Sequence, residues 1–181
     1  MAAAIGLLEL KSIPVGVETA DAVLKSADVK LLQASPSCPG KYIIVITGDV
    51  GAVRSAMETG SHAAGQYLLA EYLISSVHHT VPGAIVGTAD TGRIDAIGMV
   101  ETISALTAIQ AGDIAAKAAD VRLLEIRVAR GLGGKGFVLM TGDIAAVKAA
   151  INAVSDQLAD SGEITSFCTI PSPHPDLIEH I

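Results

Sequence analysis

Apolar positions in this chain come in short blocks separated by glycine, proline and polar residues, and the spacing within each block predicts its element. Residues 4–10, Ala-Ile-Gly-Leu-Leu-Glu-Leu, form a run of strand length, as do residues 96–101. Residues 29–34 and 121–128 read as strands, and so do residues 42–47 and 136–141. The Ala-rich segments 16–26 and 105–118 read as helices. Asp49 and Asp143 each follow a glycine and are placed as N-caps of further helices. After Asp143, Ile144, Val147, Ile151, Val154 and Leu158 recur with the 3.6-residue period of an amphipathic helix. Ile164–Ile170 then reads as a closing strand, with residues 68–77 as its counterpart, and Gly/Pro-rich loops fall at 35–40 and 129–134.

This order occurs twice because the sequence itself does. Ala4-Ile-Gly6 with Glu9 returns as Ala96-Ile-Gly98 with Glu101, 92 residues on. At the same offset Asp21 and Lys25 match Asp113 and Lys117, and Ala27-Asp-Val29 matches Ala119-Asp-Val121. Gly40-Lys41 and Thr47-Gly-Asp49 match Gly134-Lys135 and Thr141-Gly-Asp143 at an offset of 94. The second copy therefore carries two extra residues between Leu124 and Gly134, where an insertion belongs in a loop. Each copy reads β-α-β-β-α-β, a ferredoxin-like α+β arrangement. The joint is expected around Gly87–Arg93, giving domains 1–90 and 91–181.

Composition narrows the function. Apolar residues make up 50% and charged residues 17%, so the chain has the material for a packed core and apolar surface left over for subunit interfaces. No stretch approaches the roughly 18 apolar residues of a membrane span. The net charge of −7, with 3% aromatics, no Trp and no Lys/Arg run, argues against nucleic acid. Met1-Ala-Ala-Ala-Ile shows no basic and apolar leader, and two cysteines make no disulfide framework, so a reducing cytoplasm is expected.

Few motifs carry chemistry. Gly131-Leu-Gly133-Gly-Lys-Gly136 matches a dinucleotide fingerprint in spacing, yet it runs into the strand Phe-Val-Leu-Met rather than a helix N-terminus. A glycine-rich link between strands fits a place where backbones crowd, such as a symmetry axis. His78 and His79, adjacent and so on opposite faces if extended, have no Cys or carboxylate at ligand spacing. His174 sits in the rigid tail Pro171-Ser-Pro-His-Pro175. Cys168, inside an apolar strand pattern, reads as a small buried hydrophobe. Cys38, in Ser35-Pro-Ser-Cys-Pro-Gly-Lys41, is a loop thiol; alone it holds no metal, whereas three copies on a three-fold axis could. No residue grouping announces an enzyme.

Ala-Ile-Gly-x-x-Glu at 4–9, Asp-Ala-x-x-Lys-Ser-Ala-Asp-Val at 21–29, Gly-Lys-Tyr at 40–42 and Thr-Gly-Asp-Val-Gly-Ala-Val at 47–53 resemble the bacterial microcompartment (BMC) shell domain. With the second copy, nearly the whole chain resembles a tandem-BMC shell protein in the ordinary, unpermuted element order. The resemblance implies a homotrimer forming a six-domain pseudohexamer that tiles with other shell proteins in the bacterial cytoplasm. It implies a central pore lined by Ser37, Cys38, Pro39, Gly40, Leu132, Gly133 and Gly134, and tile edges carrying Lys25 and Lys117. Within the family it resembles the type with a cysteine in the first pore loop, which implies a [4Fe–4S] cluster shared by the trimer. Cys38 would be its ligand from each subunit, passing electrons across the shell to or from encapsulated redox enzymes. Two alternatives stand beside this: an open pore conducting small metabolites, and a ferredoxin-like trimeric regulator that binds a metabolite.

Overall fold

A computed structural model describes residues 3–128 and 131–181. In chain order the elements are β1 (Ala4–Leu10), α1 (Ile13–Ser26), β2 (Val29–Ser37), β3 (Lys41–Gly48), α2 (Val50–Ala64), β4 (Leu68–Ile74) and α3 (Val81–Val86). They continue with β5 (Ala96–Thr102), α4 (Ala105–Ala118), β6 (Arg122–Val128), β7 (Gly136–Gly142), α5 (Ile144–Gln157), β8 (Ile164–Ile170) and α6 (Pro175–Ile178). Two antiparallel four-stranded sheets result, ordered β2-β3-β1-β4 and β6-β7-β5-β8, the ferredoxin-like order expected of each copy. The chain divides into two compact units. One runs to Pro82 and takes in the segment that ends at Gly134; the other comprises Gly83–Val128 and Lys135–Ile181.

In the first unit, strand alternation assigns each side chain to a face. Ala4, Leu8 and Leu10 of β1 join Tyr42, Ile44 and Ile46 of β3 and Val23, Val53, Ala56 and Met57 of the two helices in one buried cluster. Ile5, Leu7 and Glu9 point to the opposite face, and all seven β1 residues are buried. Each fully buried Leu or Ile contributes about 1.5–3 kcal/mol over exposure, so this central strand is the anchor of the sheet. The second unit repeats the plan down to single bonds. Thr47 Oγ1 donates to the Ala4 carbonyl at 2.8 Å, and Thr141 Oγ1 donates to the Ala96 carbonyl at 2.8 Å.

Several local expectations shift. The first helix starts at Ile13, three residues early, because Ser12 is extended at the N-cap position and Pro14 pre-sets a helical φ in the first turn. Asp49 and Asp143 do occupy N-cap positions, but neither carboxylate caps its helix; their backbone carbonyls accept from Val53 N and Val147 N at 2.9 Å. Strand β4 ends at Ile74, and a helix not anticipated from the sequence, α3, precedes the irregular residues 87–95.

Gly136 belongs to β7, not to a phosphate loop. A Cβ there would stand 2.7 Å from Ala108 Cβ, 3.0 Å from the Arg127 carbonyl oxygen and 3.2 Å from that of Ser104. Two of these obstacles are backbone and cannot rotate away. Gly136→Ala is therefore expected to destabilise the protein by about 1–3 kcal/mol, read as a lower urea midpoint at unchanged m-value. A midpoint equal to the parent's would show that β7 can move off α4 at no cost.

Candidate functional site

Two β-hairpins, one in each unit, end in the loops singled out above. In the first, Ser37 pairs with Lys41 as the last rung of β2 and β3, so the connection is only Cys38-Pro39-Gly40. The loop expected over 35–40 is thus three residues long. Pro36 does not end the strand, because β2 is an edge strand and an absent N–H is tolerated on its open side. Gly40 closes the turn at φ 75°, a left-handed conformation suited to glycine, and the Cys38–Pro39 peptide is cis. Cys38 is half-buried, while Pro39 and Gly40 are exposed. Ser37 is buried, and its hydroxyl donates to the Cys38 carbonyl at 3.4 Å.

Gly134 belongs to the same compact unit and meets this turn. At φ 97° it lies so close that a Cβ would stand 3.3 Å from the Cys38 carbonyl oxygen and 4.0 Å from Pro39 Cδ. Of the expected pore residues, the structure therefore gathers Ser37, Cys38, Pro39, Gly40 and Gly134. Gly131 and Gly133 also have positive φ, with open space where a Cβ would stand; Leu132 between them is half-buried. Ala129 and Arg130, expected in the same loop, lie outside the described residues.

Both hairpins are rooted by an ion pair that sequence reading missed. Lys41 Nζ lies 3.2 Å from Glu9 Oε1, and Lys135 Nζ lies 2.8 Å from Glu101 Oε1. Glu9 and Glu101 recur between the copies, as do Lys41 and Lys135, but only strand register shows that they meet. The first carboxylate is buried, with 8% of its side chain exposed against 36% for Glu101. Thr165 Oγ1 also donates to Glu101. The hydrogen bond from Lys135, then that from Thr165, hold the Glu101 carboxyl below its ordinary value of 4.5.

On the helices, Lys25 pairs with Asp21 and Lys117 with Asp113, each at 2.6 Å. Lys25 is 74% exposed with an exposed partner, whereas Lys117 is 44% exposed and Asp113 only 10%. The surroundings of the two helices differ accordingly. α1 buries four residues and α4 nine, and α1 leaves Ile13, Val17 and Leu24 exposed along one stripe.

Two sequence readings are corrected. Cys168 is exposed, because β8 is an edge strand whose own unit leaves most of its residues uncovered; Phe167 beside it is 57% exposed. His78 and His79 are not extended: in the turn before α3 their rings come within 4.4 Å, and His78 Nδ1 lies 2.8 Å from Thr80 Oγ1. His174 stands at the N-cap of α6 and accepts from Asp176 N at 3.2 Å. Among the described residues, no three His, Cys, Asp or Glu side chains gather as a metal site, and no helix is long and apolar enough to cross a membrane.

A repeated four-stranded α+β unit with paired hairpin loops defines a class, and the family comparison agrees. The BMC domain matches residues 4–77 and again 96–173, so the chain belongs to the BMC-domain family of bacterial microcompartment shell proteins. It is 40% identical to the bacterial microcompartment shell protein PduT of Citrobacter freundii, over 98% of this chain and 96% of that one. It is 38% identical to the shell protein EutM of Salmonella typhimurium over 48% of this chain and 88% of EutM, as expected of a protein with one such domain. The crystal structure of a microcompartment protein from Desulfitobacterium hafniense superimposes with a TM-score of 0.96 at 42% identity, covering all of both chains. A fused, permuted hexameric shell protein of the RMM microcompartment superimposes less well, with a TM-score of 0.60, 26% identity and 86% and 81% coverage.

The Glu101 environment carries a testable consequence. Its carboxyl is expected to titrate below 4.5 in carboxyl-detected NMR. The attraction to Lys135 is fully present above the ordinary glutamate range and is lost as the pH falls through the lowered value. Lys135→Gln is expected to raise the midpoint most, and Thr165→Val less. A parent midpoint at or above the ordinary value would refute the assignment.

Proposed function

We propose that this protein is a homotrimeric tile of a microcompartment shell in the bacterial cytoplasm, in which three Cys38 thiolates face one axis and hold a [4Fe–4S] cluster. Its role is structural enclosure, with no chemical transformation at its own residues. Its lateral partners are other shell proteins, a reading supported by relatives that are named as shell proteins, and encapsulated redox enzymes are the electron partners.

The observation that carries the reading is the position of Cys38 as the first residue of a three-residue turn, half-buried and just beyond the last hairpin rung. One chain brings a single soft donor there, and among the described residues no three His, Cys, Asp or Glu side chains gather as a metal site. A cluster therefore fits only where several copies converge, each contributing one thiolate. The turn is short enough to present that thiolate rigidly, and Pro39 and Gly40 put no bulky side chain beside it. When bound, such a group supplies one-electron chemistry. Assembly is supported separately by the stripe Ile13, Val17 and Leu24 on α1, an apolar face that a neighbouring copy would cover. Lys25, exposed at the end of the same helix, suits the tile edge.

Anaerobically purified protein is expected to contain about four iron and four acid-labile sulfide per trimer, both absent from Cys38→Ala. Iron-free parent trimers would leave the shell tile standing and make the pore a conduit for small metabolites. Discrete trimers that form no sheets and retain a tightly bound metabolite would favour the regulator instead. Lys25→Glu is expected to abolish extended sheets in electron micrographs while leaving the trimer intact by size-exclusion chromatography; normal sheets would remove Lys25 from the edge.

A further inference from the structure

We infer that the Glu9–Lys41 ion pair is a positioning device for Cys38: it fixes the exit of the three-residue turn and thereby where the thiol stands. The inference takes its meaning from the reading of Cys38 as a shared ligand, but it concerns residues and a geometry present in each chain.

The argument begins with cost. Glu9 ends the row Ile5, Leu7, Glu9 on the face of β1 opposite the helices, and its side chain is 8% exposed. Taking a carboxylate out of water is unfavourable unless it is paired, and even a paired one is a poor source of net stability against an apolar residue of similar size. Two apolar residues precede it in the same row, so a third would extend the row without any such cost. The charge is explained by what it holds. Lys41 is the last rung of the hairpin, bound through its backbone to Ser37 on one side and through its ammonium to Glu9 of β1 on the other. The Lys41 position is thus fixed from both neighbouring strands.

Only Cys38, Pro39 and Gly40 separate that fixed point from the end of β2, so little slack remains between the pin and the thiol. At the turn's entry, the Ser37 hydroxyl and the close approach of Gly134 hold the Cys38 carbonyl. The second copy supplies an internal comparison. Its pair, Lys135–Glu101, is more exposed and stands beside a loop holding three positive-φ glycines, Gly131, Gly133 and Gly134. A pin at the root of such a chain transmits little to the loop's far end. The buried version of the pair belongs to the copy whose loop carries the cysteine.

The test uses the full-length trimer with Cys168→Ser, and a nitroxide attached to Cys38 reports loop motion by EPR line shape. Glu9→Gln keeps the shape of the side chain and removes its charge; it is expected to raise the mobile spectral component roughly two-fold or more. Lys41→Arg in the parent background, which keeps the pair, is expected to retain the parent spectrum. Glu101→Gln, the same change at the other root, is expected to leave the Cys38 label unmoved. Should Glu9→Gln fail to fold, the double variant Glu9→Gln/Lys41→Gln, which leaves no unpaired buried charge, carries the same expectation. Parent-like spectra in a folded pair variant, with only the melting temperature lowered, would overturn the inference and leave the pair a stability element. The labelled thiol binds no iron, so the outcome is separate from the cluster. Iron-free parent protein overturns the cluster reading, whereas an unmoved label overturns the positioning of Cys38.

Discussion

Everything in this fold depends on a central strand that is buried on both faces. β1 packs Leu8 and Leu10 against the helices while Ile5, Leu7 and Glu9 point the other way, and none of its seven residues is exposed. A one-residue slip against β3 would exchange those faces and put Glu9 among Val23, Val53 and Met57, so the register is fixed with high specificity. That register brings Glu9 beside Lys41, makes Ser37–Lys41 the last rung and leaves three residues to close the hairpin. The geometry around Cys38 thus depends on packing at the centre of the sheet as well as on the glycine that closes the turn.

The same constraint acts in the second unit with a different outcome. β5 has the register of β1, and Glu101 meets Lys135 as Glu9 meets Lys41. The row Ile97, Met99, Glu101 is more open: Ile97 is buried with Leu124 and Leu139, while Met99 and Glu101 are only half-buried. The surroundings, not the register, separate a buried carboxylate from a half-exposed one. Two copies of one fold therefore present two chemically different hairpin ends on one scaffold.

Much of this was legible in the sequence. The offsets of 92 and 94 residues exposed the duplication, and block lengths with their periods gave the element order of both copies. What the sequence concealed was set by contacts between distant residues. The turn at Cys38 is short because β2 is an edge strand and accepts Pro36, and edge status is a property of sheet order. Cys168 sits in an apolar pattern that normally signals burial, but its strand β8 is an edge of the second sheet and stays open in its own unit. The ion pairs were present as recurring residues, yet their partnership spans 32 positions in one copy and 34 in the other and exists only through register.

The duplication also has an electrostatic meaning for the proposed assembly. Six identical hairpins around one axis would bring six thiolates together, and like charges a few ångströms apart repel by several kcal/mol in a partly dry site. Fusing two copies lets the hairpins diverge. One keeps a thiol on a short turn pinned by a buried ion pair, and the other carries Gly131, Leu132, Gly133 and Gly134 with no thiol among them. In the proposed trimer three thiolates would face the axis, fewer than the number of domains and enough for three corners of a cluster. The close approach of Gly134 to the Cys38 carbonyl shows why position 134 must also be small: a side chain there would press on the turn that presents the thiol. On this account Gly134 is the complement of the cysteine turn, kept small by the space that turn occupies.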